Sequence, residues 1–438
     1  MFDRERARPS LYTIPGGAPF LDVLVENILG GEFAPRPGAC DPLDLARYTV
    51  LLPTRRACRA LSERFLSVSG GDALLLPRIR PIVETDENEG LLQGLSAERH
   101  GAGGFHVAPS VSELERRLVL SQLVLKWSEA QTARATEGGP LSLPVGSVRS
   151  PAQAVHLGIE LANLMDLVET EEGDFSRLDN LVPEAYSEHW QVTLDFLKIV
   201  TEFWPNYLDE RHFLSPAERR SRLLAAEAER LKRTPPDAPY IIAGVTGSVP
   251  ATARLMTTVA GLANCAVVLP GLDCALDEAT WQTLAQEHPE HPQHGLAKLL
   301  RSLGVERAEV KPLGGMHEGA AGTRRMALVT EAMRPAPTTG LWHTIGDRIE
   351  KATTDVALEG LTLVEADTSD EEARVVALIL RGAVEDSKRS AALVTSDRNL
   401  ARRVAVKLEA WGLRIDDSAG RPLEKTVPGA FLDLILDV

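Results

Sequence analysis

The chain has 438 residues, with 47 Lys and Arg against 62 Asp and Glu, a formal net charge of −15. That length argues for two or three domains, and 44% apolar with 25% charged residues is ordinary for a globular protein. The acidity argues against a surface that holds nucleic acid by bulk electrostatics, although it leaves room for a local basic channel.

No apolar run approaches a membrane span. The opening MFDRERARPSLYTIPGG has no apolar signal core. Four scattered cysteines, Cys40, Cys58, Cys265 and Cys274, fit a reducing compartment, so the expected location is cytoplasmic with no membrane partner. None stands in CxxC spacing, which argues against a metal cluster within the chain.

In chain order, short β-rich runs lead into helical patterns. LYTIP (11–15) precedes a helix starting near Pro19, and YTVLLPT (48–54) precedes RRACRALSERFL. ALLLPRIRPI (73–82) is a further apolar run. From about 110 to 235 the apolar spacing is helical, with almost no strand signal. PYIIAGVTG (239–247) then leads into PATARLMTTVAGL, and CAVVLPG (265–271) follows. Strands alternating with helices imply a parallel α/β sheet. The expected division is 1–110 plus 236–330 as one α/β lobe, 111–235 as an all-helical insert, 331–354 as a linker, and 355–438 as the start of a second lobe. LTLVEAD (361–367) and SAALVTSD (390–397) are the two strands expected there, each leading into a helix. Two strands are too few for an independent sheet, so the sequence reads as part of a longer protein.

Several segments could carry chemistry. The turn after the first strand, with Gly16, Gly17, Ala18, Pro19 and Phe20, stands where a phosphate loop belongs. A working loop needs Lys for the terminal phosphates and Ser or Thr for Mg²⁺. Neither is present, and residue chemistry alone favours a plain βα turn. Thr54, Arg55, Arg56 and Arg59 sit at a strand end and a helix start. They suit phosphate contacts, and equally a solvated helix start. Arg398 opens a similar strand–loop–helix unit in SAALVTSDRNLARRVAVKL. Asp273 is the only acid near the end of CAVVLPGLD. His288, His291 and His294 lie three apart, but the intervening Pro289 and Pro292 argue for a loop over a Zn²⁺ site. Glu84, Asp86, Glu87 and Glu89 read as a solvated acidic loop over a cation site. No catalytic constellation and no metal set is expected.

Taken together, YTIPGGAPFLDVL, VLLPTRRACRAL, ALLLPRIRPI, IIAGVTGSVPATARLM, CAVVLPGLD, LTLVEADTSDEEARVVAL and AALVTSDRNLARRVAVKLEAWGLRIDDSAGRPLEKTVPGAFL are similar to the N-terminal region of the AddB family of AddAB-type helicase–nucleases. The resemblance implies superfamily 1 helicase-like (RecA-like) parallel-sheet lobes interrupted by a helical insert. It implies that Gly16, Gly17 and Phe20 stand at a degenerate phosphate loop, and that Thr54, Arg55, Arg56 and Arg398 contact DNA. It further implies a role in double-strand break repair by recombination, with single-stranded and double-stranded DNA and an AddA-like motor subunit as partners, and with the Chi signal as the sequence read. The family uses ATP with Mg²⁺. Its C-terminal nuclease domain and iron–sulfur cluster have no counterpart in these residues, so no cofactor is expected here. An active ATP-dependent helicase and an unrelated α/β metabolic enzyme are the alternatives.

Overall fold

The computed structural model describes residues 9–33, 42–68, 74–82, 107–137, 150–175, 193, 195–314, 320–386, 389–418, 420 and 422–436. The acidic stretch 83–90 lies outside them. The chain divides into two units, Met1–Glu359 and Gly360–Val438. No helix among the described residues is long and apolar enough to cross a membrane.

The first unit is α/β and is built on one six-stranded, all-parallel sheet. Its strands are β1 (Leu11–Ile14), β2 (Thr49–Leu52), β3 (Arg78–Pro81), β4 (Tyr240–Ala243), β5 (Cys265–Pro270) and β6 (Lys311–Pro312). They are ordered β3-β2-β4-β5-β1-β6. Runs such as YIIA and CAVVLP are apolar at consecutive positions because both faces of a parallel sheet are covered. Successive side chains alternate between the faces. Ile14, Val50, Leu52, Ile241 and Val268 enter one core, while Leu11, Leu51, Ile242, Val267 and Leu269 enter the other.

Helices α1 (Phe20–Leu29), α2 (Pro42–Leu45) and α3 (Arg55–Val68) follow the first two strands. α1 and α3 cover the first face through Val23, Leu24, Ile28, Leu61 and Phe65. Helices α4 (Glu113–Glu137), α5 (Pro151–Thr170) and α6 (Trp204–Arg211) make a separate core around Leu120, Leu161, Met165 and Trp204. Within it Arg116 is fully buried and holds Asp166 through two bonds of 2.8 and 2.9 Å. The chain enters and leaves this helical body side by side: the Val111 N–H donates to Leu214 O at 3.0 Å, and the Leu214 N–H to Pro109 O at 3.0 Å. Helix α7 (Pro216–Arg233) falls inside the expected insert, yet Leu224, Ala228 and Leu231 join the core of the sheet. It is the crossover helix into β4. With α8 (Pro250–Ala260), α9 (Glu278–Glu287) and α10 (His294–Leu303) it covers the second face.

The remainder of the unit holds α11 (Ala320–Ala332), α12 (Ile345–Arg348) and α13 (Lys351–Leu358). Residues 331–354, expected as a linker, carry a buried polar network. Arg334 donates to both carboxylate oxygens of Glu331 at 2.7 Å, to Asp277 at 2.6 Å and to the Thr280 hydroxyl at 2.8 Å. Arg348 donates to Glu331 at 2.6 Å, and the Trp342 indole N–H to Glu331 O at 2.8 Å. Such a guanidinium can be buried because carboxylates and a hydroxyl fill its fork.

The second unit packs α14 (Ser369–Val384) against α15 (Arg398–Glu409), with α16 (Val427–Leu436) following. Ala373, Ala377, Leu400, Val404 and Leu408 form its core. The segments 361–367 and 390–397 are the expected strands, yet no ladder forms among the described residues of this unit. Leu363 and Val394 remain 86% and 94% exposed. Two such segments supply too few ladder bonds to offset the ordering of a sheet.

Arg334→Ala is expected to lower stability by about 3 kcal/mol, the lower end for breaking a buried pair, because Glu331 keeps Arg348 as a cation and the Asp277 left behind is partly exposed. The shift in urea midpoint at neutral pH checks this. Burial alone would raise the Asp277 carboxyl, but the Thr280 backbone N–H, the Arg334 guanidinium and the Thr280 hydroxyl outweigh it and bring it down to about 2. Its contribution is therefore complete above its ordinary value of 3.8 and is lost as pH falls toward 2. Asp277→Asn should flatten that acid limb; an unchanged limb would show the pair carries no folding energy.

Candidate functional site at the carboxyl edge of the sheet

Strands β1, β2, β4 and β5 all end at the same edge, where their outgoing turns surround a cavity of 430 Å³. Ile14, Pro15, Gly16, Ala18, Phe20 and Leu21 line it from the first turn. Leu52, Pro53 and Ala57 line it from the second, Gly244 from the third, and Pro270 and Gly271 from the fourth. This is the edge at which open parallel sheets bind ligands. No charged and no hydroxyl-bearing side chain is among these residues.

The first turn has the position of a phosphate loop but different contents. The Thr13 hydroxyl points away from the cavity: it donates to Leu269 O at 3.2 Å and accepts from the Leu272 N–H at 3.2 Å. Helix α1 begins at Phe20, with Pro19 as an N-cap that offers no side-chain hydrogen bond. Phe20 opens the helix and lines the cavity. Its ring stands 3.4 Å from where a Cβ on Gly244 would lie, and Gly244 has φ +72°, a conformation glycine supplies at no steric cost. Asp22 puts a carboxylate in the first turn of α1, paired with Arg64 at 3.2 Å, and so discourages a second anion there.

Gly16 and Gly17 serve close packing. A Cβ on Gly17 would come within 2.8 Å of Gly322 O, and one on Gly322 within 3.1 Å of Gly17 O. A Cβ on Gly16 would meet the Met326 sulfur at 3.0 Å. Helix α11 therefore lies directly on the loop, and the network around Arg334 anchors its C-terminal end. Asp273, the acid expected near the end of β5, is buried and already employed. It accepts from the Ala275 and Leu276 N–H groups at 2.9 and 3.0 Å, and from the Thr330 hydroxyl of α11 at 2.7 Å.

On the rim, Thr54 caps α3 by accepting from the Ala57 N–H at 3.1 Å. Arg55, Arg56 and Arg59 are exposed on the first turns of that helix. Gly16, Gly17, Phe20, Thr54, Arg55 and Arg56 thus gather at one edge. Arg398 belongs to the second unit, where it donates to both oxygens of Asp417 at 3.1 and 3.0 Å. That partner raises its pKa and occupies the fork a phosphate would use.

The three histidines have separate partners. His288 meets Glu290 at 2.9 Å, and His294 meets Leu284 O at 3.2 Å. His291 donates from Nε2 to Met333 O at 2.8 Å and accepts at Nδ1 from the Gln293 N–H at 3.1 Å. No group of three metal-ligating side chains converges among the described residues. Burial pushes the Cys265 thiol up to about 12, so it is no nucleophile.

The sequence offered no pointer to Gly322, Met326 or Arg334. Gly322 and Met326 meet the first turn, and Arg334 joins the nearby Glu331 to the distant Asp277 and Thr280; no local spacing encodes the distant contacts. Gly17→Ala is expected to cost about 1–3 kcal/mol, since its Cβ must displace the backbone of α11. Thermal unfolding of this variant beside Gly304→Ala, where a Cβ meets nothing within 4 Å but φ is +63°, separates crowding from backbone strain. A Gly17→Ala variant as stable as the unmodified protein would refute the close contact.

No protein-family model and no curated protein matches this chain; the chemistry of the edge is the chemistry of these residues.

Proposed function

We propose that the first unit is a RecA-like, helicase-like lobe that holds single-stranded DNA without hydrolysing ATP, within a helicase–nuclease that processes double-strand breaks for recombinational repair. An AddA-like motor subunit would supply translocation, and the lobe would contribute to reading the Chi signal. The observation that carries the reading is the state of the phosphate-loop position. Its turn follows β1 of an all-parallel sheet, Phe20 and no Lys opens the helix there, α11 lies on Gly16 and Gly17, and the oxygens of Asp273 are already bonded. Beside it, Arg55 and Arg56 on the capped N-terminus of α3 present guanidinium groups and backbone N–H groups of the kind that receive phosphates.

The active-helicase alternative would need a cation and an Mg²⁺ ligand in the carboxyl-edge cavity, and neither is among the described residues that line it. Turnover of Mg²⁺-ATP by the chain is the decisive measurement: none is expected, and sustained turnover would overthrow the silent-lobe reading. Anisotropy of labelled single-stranded DNA tests the contact. Arg55→Ala with Arg56→Ala should weaken binding and flatten its salt dependence by roughly 0.7 in log–log slope per lost contact. Equal binding at every salt concentration would remove these arginines from the interface.

A further inference from the structure

The helical body of α4, α5 and α6 has its own core, separate from the two cores of the sheet. Where it meets the cover of the sheet, two carboxylates leave the end of α5. Glu169 accepts the Ser215 hydroxyl, and the Ser215 oxygen also caps α7 by accepting the Glu218 N–H at 3.2 Å. Glu172 takes both terminal nitrogens of Arg254 on α8, one of them at 2.7 Å. Because α7 and α8 cover the second face of the sheet, each carboxylate ties the body to it. The chain itself crosses this joint twice, in the hydrogen-bonded segments 109–111 and 212–215. It leaves α5 through Glu172 at φ +56° and α6 through His212 at φ +57°. Residues other than glycine take that left-handed conformation at a cost, and here each ends a helix. Hinges are built from such element-terminal residues.

The two carboxylates have opposite surroundings. Glu172 meets a guanidinium fork, and Arg254 holds its carboxyl below the usual range. Glu169 is partly buried and faces Asp166 on its own helix, Arg116 of α4, and Ser215 and Glu218 of α7. Arg116 is committed elsewhere: it donates to both Asp166 oxygens and to Ala162 O at 2.9 Å. Glu218 is paired with Arg222 at 2.5 Å. A neutral hydroxyl is therefore the donor that meets Glu169. Burial pushes its carboxyl up, the Ser215 hydroxyl and Arg116 hold it back, and the Asp166 and Glu218 charges add to the rise. Tilting the body away would give an ionised Glu169 back to water.

We propose that the helical body is a tilting arm, hinged on residues 109–111 and 212–215, which the Glu172–Arg254 ion pair latches against α8 while the ionised Glu169 loads the joint against that latch. Salt opens the latch, because the pair is about half exposed and is screened. Protonation of Glu169 removes the load. A carboxyl raised in the seated arm contributes fully below its ordinary value of 4.5, and its contribution is lost as pH rises through the raised value. Glu172, held low, stays ionised in mild acid, so the arm is seated most firmly there.

Hydrogen exchange of the intact chain, read by mass spectrometry and normalised to the intrinsic rate at each pH, tests the joint. Peptides covering 107–116 and 212–220 report the Val111 and Leu214 amides, which bond across it. Arg254→Ala should speed exchange there about two- to fivefold, the scale of an exposed ion pair. Peptides within α4 and within β4 and β5 should not change. About 1 M NaCl should speed the same peptides of the unmodified chain, since charges are then screened beyond roughly 3 Å, and should add nothing to Arg254→Ala. Glu169→Gln keeps an acceptor for Ser215 and removes the charge; it should slow exchange at neutral pH and flatten the slowing toward mild acid. No effect of Arg254→Ala or of salt, equal acceleration in every peptide, or faster exchange in Glu169→Gln would each overturn the proposal. The salt series uses the unmodified chain and decides alone should a variant fail to fold. Failure leaves the reading of the carboxyl edge untouched, because these residues do not line its cavity.

Discussion

A parallel sheet must return its chain to the same end after every strand, and it must be covered on both faces. Right-handed crossovers then fix which face each helix takes. β1 to β2 and β2 to β3 move one way along the sheet, so α1 and α3 share a face. β4 to β5 and β5 to β6 move the other way, so α8, α9 and α10 share the opposite one. With both faces sealed, the chain can expose loop chemistry only at the edges. All four central strands release their turns at the carboxyl edge, and this is why Gly16, Pro53, Gly244 and Gly271 meet despite their separation in sequence.

What the edge does chemically depends on a helix that lies across it. Helix α11 touches the first turn through Gly322 and Met326 and is tied to the turn after β5 by Thr330 on Asp273. A little further on, Arg334 reaches Asp277 and Thr280. The buried network therefore both anchors the helix and consumes the acid that stands beyond β5. Electrostatics elsewhere is local in the same sense. At physiological salt a charge is felt over about 8 Å, so a net charge of −15 does not decide the potential beside Arg55.

The strands of the sheet were legible because a strand covered on both faces must be apolar at consecutive positions, as in YIIA and CAVVLP. The helix after LTLVEAD was legible too, and Thr368 caps it as its residue type dictates. The role of α7 was hidden, since an amphipathic helix looks the same against a sheet as in a bundle. Residues 331–354 looked like a linker because their Gly and Pro content masks a buried Arg that joins Glu331 to the distant Asp277 and Thr280. Arg398 looked available because Asp417, which holds it, is nineteen residues away. LTLVEAD and SAALVTSD carry strand residues, but a strand exists only with a ladder partner, and propensity does not supply one.

The same dependence on distant contacts makes the first turn resistant to simple repair. On the proposed reading it is a phosphate loop that has lost its cation, yet a lysine at Phe20 would not restore one. Its ammonium would face Ile14, Leu52, Pro53 and Pro270, where nothing replaces its lost hydration. The turn's glycines would still lie against α11, and Asp22 would still set a carboxylate beside the helix start. Freeing Asp273 would require releasing Thr330, which helps hold α11 in place. Side chain, backbone contact and acid are thus mutually consistent, and each is stabilised by the others. An edge built this way is committed to packing.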